Sequence, residues 1–278
     1  MTQLIISLTS IPPRFPYLQE TLASLVNQQA DVAAVNIYIP RKYRRFEFSP
    51  EQVLSFIPGV NVRLINTDYG PATKVLPAAR EYRGQDVRIL FCDDDKVYDP
   101  QWAQRFVECS DRHPDCCIVE EGGDVSNYSN HNFSGERQPR SGRITKDLGY
   151  RFKRALSLGT WKPRKNVGSG FVDMLEGWGG VLVRPEFFTD VAFDIPEILW
   201  MVDDIWLSGQ LAVNGVPIWL NGEDKIRTKG NSNEVKEAAL RKLVHDGYGR
   251  TEANQACVDY FRETYGVWSG RLIEKGVA

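Results

Sequence analysis

Long apolar runs are missing from this 278-residue sequence. No window approaches the roughly 20 apolar residues that cross a bilayer, so membrane contact is expected to be peripheral at most. Histidine is scarce (His113, His131 and His245), and the cysteines are few and odd in number: Cys92, Cys109, Cys116, Cys117 and Cys257. There is no C-x-x-C pair. The adjacent Cys116 and Cys117 suit neither a zinc knuckle nor a disulfide framework, so a reducing cytoplasm is the simpler expectation. Neither sign of charge dominates. With 34 basic and 36 acidic residues the net charge is -2, which gives no global attraction for nucleic acid. The opening Met1-Thr2-Gln3 has no basic leader and reads as the start of a strand rather than a signal peptide. A P-loop, a Ser/His/Asp pattern and a Rossmann glycine fingerprint are also missing.

What is present is the composition of a globular domain, 42% hydrophobic and 25% charged. The length suits one large domain or two closely joined lobes. Residues 4–8, 35–39, 62–65 and 87–92 are short apolar runs that read as strands. Helical spacing predicts helices over 17–28 and 72–83, with a short one at 51–56. Strands alternating with helices predict an α/β fold whose mostly parallel sheet is flanked by helices. A helix is predicted over 101–110 and a strand over 117–120. The pattern then dissolves into a polar segment, 122–170, with a weak helix near 148–158. Ten basic and two acidic residues fall between 136 and 165. Such a segment inside a compact domain is often functional or disordered. Order returns with a strand near 180–184, a helix over 204–213 and a strand over 216–220. Two C-terminal helices follow, one carrying Val235, Ala239 and Leu243, the other Ala253, Ala256, Cys257 and Tyr260.

The strongest chemical signal is Ile89-Leu90-Phe91-Cys92-Asp93-Asp94-Asp95. A hydrophobic strand delivers carboxylates to the sheet edge where α/β proteins bind ligands. Asp93 and Asp95 are two apart, so an extended chain points them the same way. Paired carboxylates suit Mg²⁺ or Mn²⁺, which keep waters and take phosphate oxygens as further ligands. A solvated acidic turn has the same composition.

Three loops occur in order: Leu8-Thr9-Ser10-Ile11-Pro12-Pro13-Arg14, Asp68-Tyr69-Gly70-Pro71-Ala72-Thr73-Lys74, and Asp93-x-Asp95. With them, residues 3–225 resemble the nucleotide-sugar-dependent glycosyltransferases of the GT-A fold, close to the family-2-like group. The resemblance implies a GT-A domain over 1–230, with a nucleotide-sugar donor half at 1–105 and an acceptor half at 106–230. A helical extension would follow over 231–278. It implies that Thr9, Ser10, Arg14, Asp68 and Lys74 contact the donor together with Asp93 and Asp94. Asp95, with Asp93, would hold the divalent metal, manganese or magnesium. The late Asp203-Asp204 pair is similar to the acidic pair of inverting GT-A enzymes, which casts Asp204 as the base and Asp203 as its support. Asp at a helix start also caps backbone N–H groups. Trp178 and Gly179, in Glu176-Gly177-Trp178-Gly179-Gly180, match the segment lining the donor-sugar and acceptor pocket, and the same string makes a tight turn around a core tryptophan. His245 corresponds to a C-terminal metal ligand of some relatives, or to an ordinary helix-end histidine. Lys225, Arg227 and Lys229 would cover the diphosphate or form a solvated turn.

The implied partners are a nucleoside-diphosphate sugar and a glycan, glycolipid or other hydroxyl acceptor. Nucleic acid is not among them. The basic residues of 137–165, with Tyr150, Phe152 and Trp161, suit an anionic acceptor, an anionic membrane surface or a lid over the donor. Two other classes share features. A haloacid-dehalogenase-like phosphatase would use Asp93-x-Asp95, although its motif ends the first strand of that fold. A non-catalytic sugar- or nucleotide-binding protein would keep the fold without turnover.

Overall fold

The computed structural model describes residues 2–49, 58–131, 133, 135–143, 148–157, 166–222, 229–230 and 249–269. Residues 51–56, the helix expected around Val235–Leu243, Lys225, Arg227, Trp161 and His245 lie outside the described residues.

Four strands open the chain: β1 (Gln3–Thr9), β2 (Val32–Pro40), β3 (Val60–Ile65) and β4 (Val87–Phe91). Helix α1 (Gln19–Val26) follows β1, and α2 (Leu76–Glu81) follows β3. Next come β5 (Lys96–Val97), α3 (Trp102–Arg112), β6 (Cys117–Val119) and β7 (Gly122–Gly123). The polar segment carries β8 (Gly142–Arg143), α4 (Leu148–Leu156), β9 (Asn166–Val167) and β10 (Gly170–Val172). The remainder is β11 (Met174–Leu175), β12 (Val181–Val183), α5 (Asp203–Val213), β13 (Ile218–Leu220), β14 (Lys229–Gly230) and α6 (Arg250–Tyr265).

Among the described residues the main sheet has eight strands in the order β10-β13-β6-β12-β4-β1-β2-β3. Six run parallel, and β12 and β10 run against them. The architecture is the α/β, Rossmann-like one that the strand–helix alternation predicts. β1 and β4 are apolar on both faces because helices cover both. Leu4, Ile6, Leu8 and Leu90 face a core shared with α1 and α3. Ile5, Ile89 and Phe91 face the opposite core, shared with α2, α5 and α6. The last helix belongs to that second core, where Phe261 packs 5.2 Å from Trp206 of α5.

Two differences from the sequence expectation shape the site. The helix expected over 72–83 is broken into a 3-10 turn at Gly70–Lys74 and α2. Pro77 has no N–H to donate back to residue 73, so the ladder cannot run through it. Val75 departs to φ -134 between the two pieces, and Lys74 ends the first with its side chain buried. The second difference is β12. Because it is antiparallel to β4, with Val181 opposite Phe91, its entry turn lies at the same sheet edge as Asp93.

Candidate active site

One cavity of about 390 Å3 opens at the carboxyl edge of the parallel strands. The loop after β1 contributes Thr9, Ser10 and Arg14 to its wall, and the loop after β3 contributes Asp68 and Lys74. Asp93, Asp94 and Asp95 follow β4, Trp178 precedes β12, and Asp203 and Asp204 open α5. Residues far apart in sequence therefore meet there because their loops leave the same edge of one sheet. Gly179 is not on the wall. Its carbonyl accepts a hydrogen bond from the Trp102 indole at 3.0 Å, and it packs against Glu121.

Lys74 is the electrostatic centre. Its side chain is 5% exposed, and its Nζ lies 2.8 Å from Asp93 Oδ1, 2.8 Å from Asp203 Oδ2 and 3.7 Å from Asp204 Oδ1. One ammonium thus ties the end of β4 to the start of α5. Ser7 donates to the Lys74 carbonyl at 2.7 Å and fixes its backbone to β1. Gly177 leaves room beside it, since a Cβ there would displace the Lys74 Nζ. Burial alone would lower the Lys74 pKa. Asp203, Asp93 and Asp204 outweigh it and hold the ammonium well above its ordinary value. Enclosure would likewise raise the Asp93 pKa, but Lys74 keeps it below the usual range. Asp204 goes the other way. Burial and then the like charge of Asp203 push it up to about 7, against the pull of Lys74. Its Oδ1 accepts from the Gly177 N–H at 3.1 Å. A carboxyl poised near neutrality beside a cavity is the state a general base needs.

The middle aspartate has a different task. Asp94 accepts from the Ser10 hydroxyl through one oxygen and from Arg14 through the other, and its carbonyl accepts from Thr21 at 3.0 Å. Those bonds brace the loop after β1 against the strand end. Burial raises the Asp94 pKa, with Arg14 and Ser10 opposing. Asp94→Ala would leave Arg14 without its closest partner, and we expect it to lower unfolding free energy by about 3 kcal/mol. Urea denaturation measures this, and a loss below about 0.5 kcal/mol would mean the brace is unimportant. Asp95 instead faces the cavity, with Lys96 Nζ at 2.5 Å and Arg14 at 3.7 Å. Thr9 turns its hydroxyl to the Tyr38 carbonyl at 2.7 Å.

At the far end, Asp68 accepts from the backbone N–H groups of Gly70 and Arg44 at 2.8 and 2.9 Å. Gly70 sits at φ 60 with Trp200 so close that no side chain fits. The Trp200 indole donates to the Asp68 carbonyl at 3.1 Å, and Tyr43 donates to the Ser10 carbonyl at 2.6 Å. Sequence reading missed Tyr43, Arg45, Lys96, Trp200 and Arg250, all of which line the cavity. Lys96 was the most accessible of these, since it directly follows the carboxylate run. Tyr43 and Arg45 sit in an irregular loop with no periodic signal, and Arg250 arrives only because α6 packs on α5.

Trp178 is held by Glu176, whose Oε2 accepts from the indole N–H at 2.8 Å. Glu176 Oε1 accepts from Tyr128 and from Arg143, the latter at 3.1 Å. The basic segment is therefore rooted beside the cavity. Its Arg140 pairs with Asp124 and Asp173 inside the protein.

Among the described residues no group of three or more His, Cys, Asp or Glu side chains is arranged to hold a metal. Asp93 and Asp95 are nevertheless hard oxygen donors on one cavity wall. One or two carboxylates completed by phosphate oxygens and water are what Mg²⁺ and Mn²⁺ accept.

No family model matches this chain, and no curated protein matches it. Among solved structures it is similar to S. aureus TarS 1-349, at 15% identity and a TM-score of 0.46, over 81% of this chain and 59% of that one. The same fragment in complex with UDP gives 15% identity and 0.45 over the same shares. A further TarS structure gives 16% and 0.46, over 81% of this chain and 36% of that one. This chain thus spans less than two thirds of the length of each of those chains.

Proposed function

We propose that this protein is a GT-A-type glycosyltransferase that moves a sugar from a nucleoside diphosphate to a hydroxyl acceptor with inversion. The observation that carries the reading is the Lys74 staple. It places a strand-end carboxylate, Asp93, and a helix-start pair, Asp203 and Asp204, around one buried cation in one cavity. The sheet supports it, with antiparallel β12 inserted between the parallel-running β6 and β4. The phosphatase alternative gains no such support, because Asp93 follows the fourth strand of the chain and the motif of that class ends the first.

The chain's own residues divide the work. The loop after β1 and Asp68 frame the nucleoside end. Arg14 and Lys96 line the wall beside Asp95 and place fixed positive charge where a departing diphosphate gathers negative charge. Asp204 takes the proton of the acceptor hydroxyl as its oxygen bonds to the anomeric carbon and the carbon–phosphate-oxygen bond breaks. Asp203, through Lys74, holds that carboxylate in place. Asp95 with Asp93 would hold Mn²⁺ or Mg²⁺, which supplies Lewis-acid neutralisation of the leaving diphosphate. The five cysteines are all unpaired and buried, which supports a reducing, cytoplasmic setting. No described helix is long and apolar enough to cross a membrane.

Release of nucleoside diphosphate from a panel of UDP- and GDP-sugars, with and without Mn²⁺, tests the proposal. Near a hundredfold excess of nucleotide over Kd, binding should stabilise the protein by about 2.7 kcal/mol. Asp95→Ala should abolish the Mn²⁺-dependent part of that thermal shift with the melting temperature of the free protein unchanged. A nucleotide shift identical in Asp95→Ala removes the metal from the proposal. Turnover of p-nitrophenyl phosphate without sugar transfer would replace the transferase by the phosphatase.

A further inference from the structure

Helix α4 differs from the other helices among the described residues. Its nine residues, Leu148–Leu156, include three basic side chains by sequence and no acidic one. Leu148, Phe152 and Leu156 recur every four residues and share a face. They are 82%, 66% and 71% exposed, the three most exposed large hydrophobic residues among those described. Other exposed large hydrophobic residues, Tyr17, Val167, Val191 and Ile198, are scattered singly and reach 56% at most. The charge of the surrounding sequence is also opposite to that of the rest. Residues 136–165 hold ten basic and two acidic residues, and the other 248 hold 24 basic and 34 acidic.

We propose that α4 is an interfacial helix that lays Leu148, Phe152 and Leu156 into the surface of an anionic lipid bilayer. A short helix with one apolar stripe and basic neighbours binds in this way: the stripe enters the headgroup boundary, and the cations meet anionic headgroups. Charge selects this occupant over others. Two copies pairing symmetrically through the stripe would bring two strongly basic segments together. A nucleic acid would satisfy the charge but offers nothing apolar to leucine and phenylalanine. Position gives the contact a consequence. The strands flanking α4, β8 and β9, pair with each other, and Arg143 of β8 donates to the Glu176 that holds Trp178 in the cavity. A bilayer under α4 would bring a lipid-borne hydroxyl toward the cavity mouth. That consequence rests on the transferase reading, whereas the binding itself does not.

Flotation of the full chain with vesicles tests the proposal. Phosphatidylcholine vesicles should carry little protein, and mixed phosphatidylcholine–phosphatidylglycerol vesicles should carry most of it. High salt should weaken that binding, because screening shortens the reach of the headgroup charge. Phe152→Glu should lower partitioning about tenfold or more and leave both the melting temperature and the nucleotide-induced thermal shift unchanged. Leu156→Ser should act in the same direction with a smaller effect. No flotation with the anionic vesicles, or equal flotation of Phe152→Glu, would overturn the proposal. So would lipid-free self-association that Phe152→Glu abolishes, because the stripe would then belong to a second copy. Flotation without any sugar transfer would count against the transferase reading alone.

Discussion

Lys74→Met is expected to lower the unfolding free energy by about 3–5 kcal/mol at neutral pH. Methionine fills nearly the same space, so packing is a minor part of the loss. The major part is that Asp93, Asp203 and Asp204 would face one another without the cation that now sits 2.8 Å from two of them. The pH dependence identifies that cause. Lys74 lowers the folded-state pKa values of Asp93 and Asp204, so without it both rise relative to the unfolded value near 4. A group raised in this way favours the folded state below its unfolded pKa, and that contribution disappears as pH climbs through the folded pKa. The deficit of the variant relative to the parent should therefore be large at pH 8 and shrink toward pH 4. Urea melts across that range measure it. A deficit that does not vary with pH would mean that Lys74 acts through shape rather than charge. Turnover should fall at least about a hundredfold in the same variant, since a preorganised positive charge is lost from the site.

Asp204→Asn should lower turnover by about 10²–10⁴, the usual contribution of a positioned base, and leave donor affinity nearly intact. Asparagine keeps an oxygen for the Gly177 N–H, so the geometry survives the change. The parent rate should rise with pH through about 7, where Asp204 loses its proton, and the variant should lose that limb. Stability should move oppositely. Asp204 is raised above its unfolded value, so its ionisation weakens the folded state as pH rises from about 4 through 7. Asp204→Asn removes that liability and should be the more stable protein at pH 8, with the difference vanishing near pH 4. Equal turnover in parent and variant would take the base role away from Asp204. A variant less stable than the parent at pH 8 would contradict the electrostatics described for the pair.

Much of the site was visible in the chain before folding. Thr9–Arg14, Asp68–Lys74, Asp93–Asp95 and Asp203–Asp204 each stand where an apolar run ends or a helix begins, and all four line one cavity. That works because hydrophobic periodicity locates strands and helices locally, and polar residues at the ends of those elements have to lie at a sheet edge. The parallel strands at the start of the fold and the late helix α5 came from the same signal. The two-residue period also set Asp94 apart from Asp93 and Asp95, but it did not say which partners each carboxylate would meet.

Only the tertiary structure decided those roles. Asp94 becomes a brace because Ser10 and Arg14, eighty or more positions away, arrive over it. Lys74 becomes the centre of charge because Pro77 breaks its helix and α5 packs against the turn that carries it. Arg250 reaches the cavity only through the packing of α6 on α5. Local periodicity specifies where a residue lies along its own element. Which charge meets which depends on contacts between elements distant in sequence, and a buried charge takes its pKa and its task from those contacts alone.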